Sequence, residues 1–370
     1  MKNTTEIQDR IFDDIRRFEL YDEAQSFGQQ YLDEVFDRPV YPSAAALESL
    51  QVFDEQLSED ATGGEEIIAQ LHQYGAPATL TQVGGRYFGF VNGSILPASL
   101  AAKILTSYWD QNGAMQVLSP ISARLEMTVE KWLVDLFGLP DNTAAGFVSG
   151  SSMASFCGLA AARYRIYKNQ GWDVNEDGLL NAPPIRIVTG KDAHSTIRKA
   201  ISLLGFGQRN VEWVDVDDQG RIQVDQIPLL DDRTILILQA GNVNSGSFDN
   251  FSALCKKAKD TGAWIHIDGA FGLWAAAVPN LKWLVNGLEH GTSWAVDAHK
   301  TLNAPYDSGI ILCADREALV TALHMSGGYL VKGADRDGMF YTCLLYTSPS
   351  PRDLNPNLVL RLMREKGGGG

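Results

Sequence analysis

Apolar residues in the first part of the chain recur at helical spacing. Ile11, Ile15 and Phe18 fall on one face of the opening segment, and a second helical stretch begins near Ser43. The pattern therefore predicts helices and connectors ahead of the main domain. The opening helix either packs outside the main core or forms a dimerisation arm, because periodicity alone is compatible with both.

From about residue 118 the pattern becomes that of an α/β domain. The segment 119–140 has a 3.6-residue apolar period and stops at Gly138 and Pro140, which predicts a helix with a defined end. Continuous apolar runs then alternate with helical or turn-rich stretches, and this predicts a mostly parallel sheet covered on both faces. In such a sheet the ligand lies beyond the carboxyl ends of the strands. The runs are 185–190, 211–216, 234–241, 263–271, 293–300 and 309–314.

Two of these runs deliver chemically useful residues to their ends. Lys300 ends an apolar strand, and a lysine there is costly to bury unless it is paired, neutralised or used as a Schiff-base nucleophile. Asp268 is followed by the small residues Gly269 and Ala270; it is either a helix cap or the carboxylate that a pyridine cofactor needs opposite its ring nitrogen. Lys300 follows Asp268 by about one strand–helix–strand unit, so both side chains can reach one pocket.

Two further segments add an anion site and an imidazole. Gly150, Ser151 and Ser152 lead into an alanine-rich helix, where N–H groups, hydroxyls and the helix dipole suit a phosphate, although such a loop is also a common cap. His194 follows the run 185–190 at the start of another helix, where it either caps that helix or stacks on a flat ring. Each segment is a weak signal alone, and together they favour a pyridoxal phosphate site.

Composition restricts the partners. The formal net charge of −14 argues against nucleic acid and anionic membranes, which require a basic surface. The four cysteines are far apart without a CxxC pair, and no histidine or acidic cluster has metal-ligand spacing, so no metal is expected. The N-terminus is unlike a signal peptide and no apolar run is long enough to span a bilayer. These observations predict a cytoplasmic protein with no membrane or nucleic-acid partner.

The four segments resemble those of the group II PLP-dependent decarboxylases, the family of aromatic-amino-acid, glutamate and histidine decarboxylases. Asp-Ala-His-Lys at 297–300 resembles the family's lysine motif, and His-Ile-Asp-Gly-Ala at 266–270 resembles its aspartate motif. Ala-His-Ser at 193–195 matches the stacking histidine, and Ser151 and Ser152 match the phosphate loop. The resemblance is dense from about residue 80 to residue 342 and looser before that.

The resemblance implies a fold-type I enzyme with a mostly parallel seven-stranded sheet, built as a homodimer that shares its active site between subunits. The implied cofactor is pyridoxal 5′-phosphate, held as a Schiff base on Lys300. Asp268 and Ala270 would contact its ring, His194 would stack on the ring, and His299 would contact the phosphate or a hydroxyl. The implied reaction is decarboxylation of an L-amino acid to the amine and CO2, with an aromatic or other non-acidic side chain preferred.

Other positions follow from the same resemblance. Tyr87 and Phe88 would lie near the substrate. Tyr329, which follows Lys300 by 29 positions, either matches the loop tyrosine that serves protonation at Cα or is an ordinary loop residue. Asn242 stands where many relatives have a threonine, and we interpret it as a hydrogen-bond partner of the cofactor's 3-hydroxyl or of a carboxylate.

The resemblance also divides the chain. It predicts an N-terminal helical segment for dimerisation (1–80), a large PLP-binding domain (81–342) and a tail (343–370). From Cys343 the sequence departs from the family and resembles read-through of a sequencing adapter, so we expect the C-terminal small domain to be missing. Two alternatives stay open: another PLP reaction (aminotransferase, lyase or aldehyde synthase), or an inactive fragment that at most binds the cofactor.

Overall fold

A computed structural model describes residues 4–56, 62–113 and 116–324 of the chain. The chain forms two compact units, with the boundary between Gly89 and Phe90. The first unit is helical and the second contains the sheet. The predicted domain boundary at residue 80 stays a prediction, as do the roles assigned to the segments on either side of it.

In the first unit, Ser43 accepts a hydrogen bond from the Ala46 amide (3.1 Å) and so caps a helix where the sequence predicts one to begin. The apolar face predicted for the opening segment is exposed, with Ile15 and Phe18 at 57% and 64%. The α-helices of this unit are α1 (Thr4–Ile15), α2 (Phe18–Glu34), α3 (Ala44–Ser49) and α4 (Gly64–Gln70).

The second unit is built on a seven-stranded sheet in the order β1-β7-β6-β5-β4-β2-β3. Strand β7 is antiparallel to β1 and to β6, and the other neighbours are parallel. Each of the six predicted apolar runs contains one strand, which confirms the α/β class with a mostly parallel sheet. The strands are β1 (Ala144–Val148), β2 (Arg186–Gly190), β3 (Val211–Val214), β4 (Thr234–Gln239), β5 (Trp264–Asp268), β6 (Ser293–Asp297) and β7 (Gly309–Cys313).

The helix predicted over 119–140 is present and ends as expected. Gly138 follows its last residue in the left-handed conformation (φ 66°), which a glycine adopts without the steric penalty of a side chain. The α-helices of the second unit are α5 (Pro97–Trp109), α6 (Pro120–Phe137), α7 (Ser151–Asn169), α8 (Val174–Asp177), α9 (Ser195–Leu203), α10 (Phe251–Ala258) and α11 (Arg316–Leu323).

The core of the second unit lies in two layers, one on each face of the sheet. On β4, Leu236 and Leu238 pack with residues of α6 and α10, whereas Ile235 and Ile237 pack with residues of α7, α9 and α11. All four side chains are buried. Burial on both faces explains why the strands read as continuous apolar runs in the sequence, without alternation of apolar and polar residues.

A buried carboxylate joins two backbone segments of this unit. Asp249 accepts hydrogen bonds from the amides of Ile222 (2.8 Å) and Gln239 (2.7 Å). Burial is the largest influence on this group, and it raises the pKa of Asp249 to about 6 from an ordinary value of 3.8. The protonated carboxyl is therefore favoured in the folded state relative to the unfolded chain.

This shift predicts a pH-dependent stability. The stabilisation from proton binding to Asp249 is fully present below about pH 4 and is lost as the pH rises through about 6. Two pKa units correspond to about 3 kcal/mol. The free energy of unfolding of the wild type, relative to Asp249→Asn, should therefore fall by up to that amount across this window in urea unfolding. Asp225→Asn, at an exposed position, is the control; a difference independent of pH would contradict the assignment.

Candidate active site

The polar residues predicted for the site meet at one edge of the sheet. β2, β4, β5 and β6 are mutually parallel, so their carboxyl ends share that edge. β1 is antiparallel to β7, which is antiparallel to β6, so β1 also ends there and α7 begins beside β6. Asp268 pairs in register with Ala295, five residues before Lys300. The topology therefore brings together strand ends that are far apart in sequence.

Lys300 lies just beyond β6. Its Nζ is 3.1 Å from Oδ2 of Asp297, and its side chain is 19% exposed. The segment around Gly93 passes close to this backbone, because a Cβ added at Gly93 would lie 2.2 Å from the Lys300 carbonyl oxygen. The Lys300 amine is thus held by an ion pair, while its main chain is enclosed by a neighbouring segment that requires glycine.

Asp297 is a site residue to which the sequence assigned no role. It is 2% exposed, and its carboxylate accepts hydrogen bonds from both the amide and the hydroxyl of Ser151, the latter at 2.8 Å. Its Oδ1 is also 3.6 Å from Nε2 of His299. The available signal was a second carboxylate at the end of an apolar strand, three residues before the lysine.

His299 is oriented by its backbone surroundings. Its Nδ1 accepts a hydrogen bond from the Ser308 amide (2.9 Å), so a neutral ring carries its proton on Nε2, the atom nearer Asp297. Burial lowers the pKa of His299, which favours that neutral form. Tyr306 stacks on the ring, with centroids 4.1 Å apart. His299 therefore presents an N–H donor at the site.

Asp268 is a buried carboxylate with spare hydrogen-bonding capacity. It is 6% exposed, and Oδ1 accepts a hydrogen bond from the Ala270 amide (3.3 Å). Oδ2 accepts none from any residue that the structure describes. Burial raises the pKa of Asp268, and the hydrogen bond from the Ala270 amide, followed by the charges of His194 and Lys300, opposes that shift. A cationic N–H donor, such as a protonated pyridine nitrogen, fits this carboxylate.

His194 combines a capping role with access to the site. Its Nδ1 accepts a hydrogen bond from the Thr196 amide (3.3 Å) and lies 2.8 Å from the Thr196 hydroxyl, so it caps α9. It also lines a cavity with Asp268 and Asp249. Capping α9 and stacking on a flat ring are compatible roles for His194, because the cap uses one ring nitrogen and leaves the ring face available.

The start of α7 offers donors to an anion. The helix has 19 residues, so its N-terminus carries a positive partial charge. Ser151 is buried and bonded to Asp297, whereas Ser152 is exposed and its hydroxyl makes no hydrogen bond with any residue in the described ranges. The N–H groups of Ser152 and Met153 in the first helical turn and this hydroxyl are suited to a phosphate.

The roles predicted for the remaining residues stay predictions. Asn242 is buried after β4, and its Oδ1 accepts hydrogen bonds from the Asn244 and Ser245 amides, so its predicted contact with the cofactor stays a prediction. Tyr87 and Phe88 belong to the first unit, and their substrate role is likewise a prediction. Tyr329 lies outside the described residues.

The part of the chain that the structure describes contains neither a candidate metal centre nor a candidate membrane span. Among residues 4–56, 62–113 and 116–324, no group of three or more His, Cys, Asp or Glu side chains is arranged to hold a metal ion. Within the same ranges, no helix combines the length and the apolar character needed to cross a bilayer.

Comparison with known proteins gives consistent matches. Residues 47–355 match the model of the pyridoxal-dependent decarboxylase conserved domain. Aromatic-L-amino-acid decarboxylase of Bacillus atrophaeus is 25% identical over 325 residues, covering 84% of this chain and 65% of the relative. Cysteine sulfinic acid decarboxylase of Rattus norvegicus is 27% identical over 275 residues, covering 71% of this chain and 53% of the relative. The chain thus spans between about half and two thirds of the length of these relatives.

Solved structures share the fold. Oryza sativa TDC with PLP and tryptamine superimposes with a TM-score of 0.81 at 20% identity, covering 95% of this chain and 74% of that one. Catharanthus roseus tryptophan decarboxylase in complex with L-tryptophan gives a TM-score of 0.78 at 20% identity, covering 94% and 76%. These likenesses extend over nearly the whole chain and identify its fold.

Proposed function

The chain belongs to the pyridoxal-dependent decarboxylase family, and we propose that the protein is a carboxy-lyase that converts an L-amino acid to its amine and CO2. The cofactor of the family is pyridoxal 5′-phosphate. The observation that carries the proposal is the buried Asp268, whose Oδ2 lacks a partner among the described residues, at the sheet edge that also carries the Lys300 amine.

Each residue would have a distinct task. Lys300 would hold the cofactor through its amine, Asp268 would keep a proton on the ring nitrogen, and His194 would pack on the ring. His299 and the N-terminus of α7 would contact the phosphate. Bound pyridoxal phosphate supplies an electron sink for the electron pair left when CO2 departs. Burial of Asp268 strengthens its electrostatic effect, because water screens the charge less there.

We propose an aromatic or other non-acidic side chain for the substrate. Support comes from the aromatic pair Tyr87 and Phe88 and from the name of the Bacillus relative. Tyr329 would serve protonation at Cα, as the resemblance implies. Decarboxylation is favoured over other reactions because the matched family model describes decarboxylases. The Bacillus relative and the Rattus relative are also named as decarboxylases.

We further propose a cytoplasmic homodimer. Exposed apolar residues at the start of the chain, including Ile15 and Phe18, and others on α5, including Leu105 and Tyr108, support association with a second copy. The buried free thiols of Cys157, Cys255 and Cys313 are compatible with a reducing compartment. A single dimeric species in size-exclusion chromatography would support this, and aggregates would favour the inactive-fragment alternative.

Product analysis tests the reaction. We expect purified protein supplied with pyridoxal phosphate to release CO2 and the matching amine in equal amounts from an L-amino acid. Mass spectrometry of the products would detect both. A keto acid would indicate an aminotransferase, and an aldehyde would indicate an aldehyde synthase. A folded protein that binds the cofactor but turns over no substrate in a panel of L-amino acids would contradict the proposal and favour the inactive fragment.

A further inference from the structure

We propose that Asp297 is a positioning residue that gives the two serines at the start of α7 different tasks. Its carboxylate holds Ser151 and the Lys300 ammonium, and Ser152 is thereby the serine that meets the phosphate of the cofactor. The inference rests on the proposed function, because it concerns the phosphate of pyridoxal phosphate.

Both donors of Ser151 are already engaged. The Ser151 amide donates to Oδ1 of Asp297, and the Ser151 hydroxyl donates to Oδ2 at 2.8 Å. Asp297 is almost completely buried, and its charge lies at the positive end of a 19-residue helix. The carboxylate therefore occupies the position that an anion bound to Ser151 would need. A phosphate using the same donors would meet a like charge at close range.

The donors that remain lie one residue further along. The first intrahelical bond of α7 runs from the Ala154 amide to the Gly150 carbonyl (2.9 Å), so the amides of Ser152 and Met153 have no acceptor within the helix. Ser152 is exposed, and no residue that the structure describes bonds its hydroxyl. These groups suit a phosphate without displacing Asp297.

The same carboxylate also locates the lysine. Oδ2 of Asp297 accepts the Ser151 hydroxyl and lies 3.1 Å from Nζ of Lys300, so one oxygen touches both the helix start and the reactive amine. The backbone of Asp297 is itself fixed, because its amide donates to the Ala270 carbonyl and its carbonyl accepts from Nε1 of Trp274, each at 2.8 Å. A carboxylate that only capped α7 would have no contact with the lysine.

The test compares pyridoxal phosphate with pyridoxal, which lacks the phosphate. The ratio of their affinities, from absorbance titrations, reports the phosphate contact. Ser152→Ala should lower this ratio about tenfold, the effect of losing one hydrogen bond to a charged group. Ser151→Ala should leave it within about threefold of wild type, well short of that loss. Ser155→Ala is a matched control, because Ser155 lies on the same helix and its buried hydroxyl has no hydrogen-bond partner in the described part of the chain.

A double-mutant comparison separates positioning from a merely structural role. In Asp297→Asn the side chain keeps its shape but loses its charge, and its NH2 group can donate to the Ser151 hydroxyl, which releases that hydrogen. We expect Asp297→Asn to raise the affinity ratio by about threefold or more. Ser151→Ala should then lower the ratio in the Asp297→Asn background although it does not in the wild type.

The outcomes distinguish this inference from the proposed function. Equal losses in Ser151→Ala and Ser152→Ala, or an unchanged ratio in folded Asp297→Asn, would overturn the role of Asp297 while leaving cofactor binding intact. A folded wild-type protein that binds neither pyridoxal phosphate nor pyridoxal would overturn the proposed function and this inference with it. Circular dichroism of each variant establishes that it is folded.

Discussion

Lys300→Ala should abolish covalent attachment of the cofactor and lower decarboxylation by more than roughly 10³-fold, the scale of losing a covalent nucleophile. The expected loss follows from the position of the Lys300 amine. The Lys300 amine lies at the sheet edge that carries Asp268 and the start of α7, and its contact with buried Asp297 holds it there. Substrate binding elsewhere in the pocket cannot replace a nucleophile that the substitution removes.

Borohydride reduction followed by peptide mass spectrometry measures the attachment directly. In the wild type, the cofactor mass should appear on the peptide that contains Lys300. Lys103→Ala is a control, because Lys103 donates to the Tyr306 carbonyl (2.5 Å) and so approaches the same region. Lys300→Arg preserves the charge beside Asp297 but cannot form a Schiff base, which separates loss of chemistry from loss of the ion pair. A cofactor adduct that persists in Lys300→Ala would refute the assignment.

The sequence was sufficient to predict that Lys300 and Asp268 share an edge. Both end buried apolar runs, and the carboxyl ends of parallel strands meet at the same edge of a sheet. The end of α6 could also be predicted from the sequence, because Gly138 supplies the left-handed residue that terminates the helix. These predictions depend on local signals and on a general rule of sheet topology.

The contact between Ser151 and Asp297 could not be predicted in the same way. It joins residues 146 positions apart and depends on β7 lying antiparallel between β1 and β6. A strand buried on both faces has the same apolar pattern whether it runs parallel or antiparallel to its neighbours. The orientation of the His299 ring could not be predicted either, because it depends on a hydrogen bond from the backbone amide of Ser308.

Asp268 and Asp297 are two buried carboxylates at one sheet edge, but their surroundings differ. Both oxygens of Asp297 are engaged by Ser151 or Lys300, whereas Asp268 has an oxygen without a hydrogen bond from any described residue. The first arrangement orders the protein's own groups, and the second is suited to binding a ligand cation.

Asp268→Asn should therefore lower kcat/KM for decarboxylation by roughly a hundredfold to a thousandfold, the scale of removing one electrostatic contact at a reacting centre. Asparagine has nearly the same shape, and its oxygen can still accept the Ala270 amide bond that Oδ1 accepts now. It has no charge with which to hold a proton on the cofactor's ring nitrogen. The change should also alter the absorbance spectrum of the bound cofactor, which a purely structural role would not do.

Asp249→Asn is the matched control for this substitution. Asp249 is also a buried carboxylate, and it lines the same cavity as Asp268, but both of its oxygens accept backbone amides. Its replacement should change the pH dependence of stability while leaving the spectrum of the bound cofactor as in the wild type. Equal losses of kcat/KM in the two variants would show that any buried charge in this cavity has the same effect. That result would contradict the proposed role of Asp268 in holding a proton on the cofactor's ring nitrogen. A loss confined to Asp268→Asn would mean that the reaction requires the Asp268 carboxylate, with the oxygen that no described residue bonds, and not burial alone.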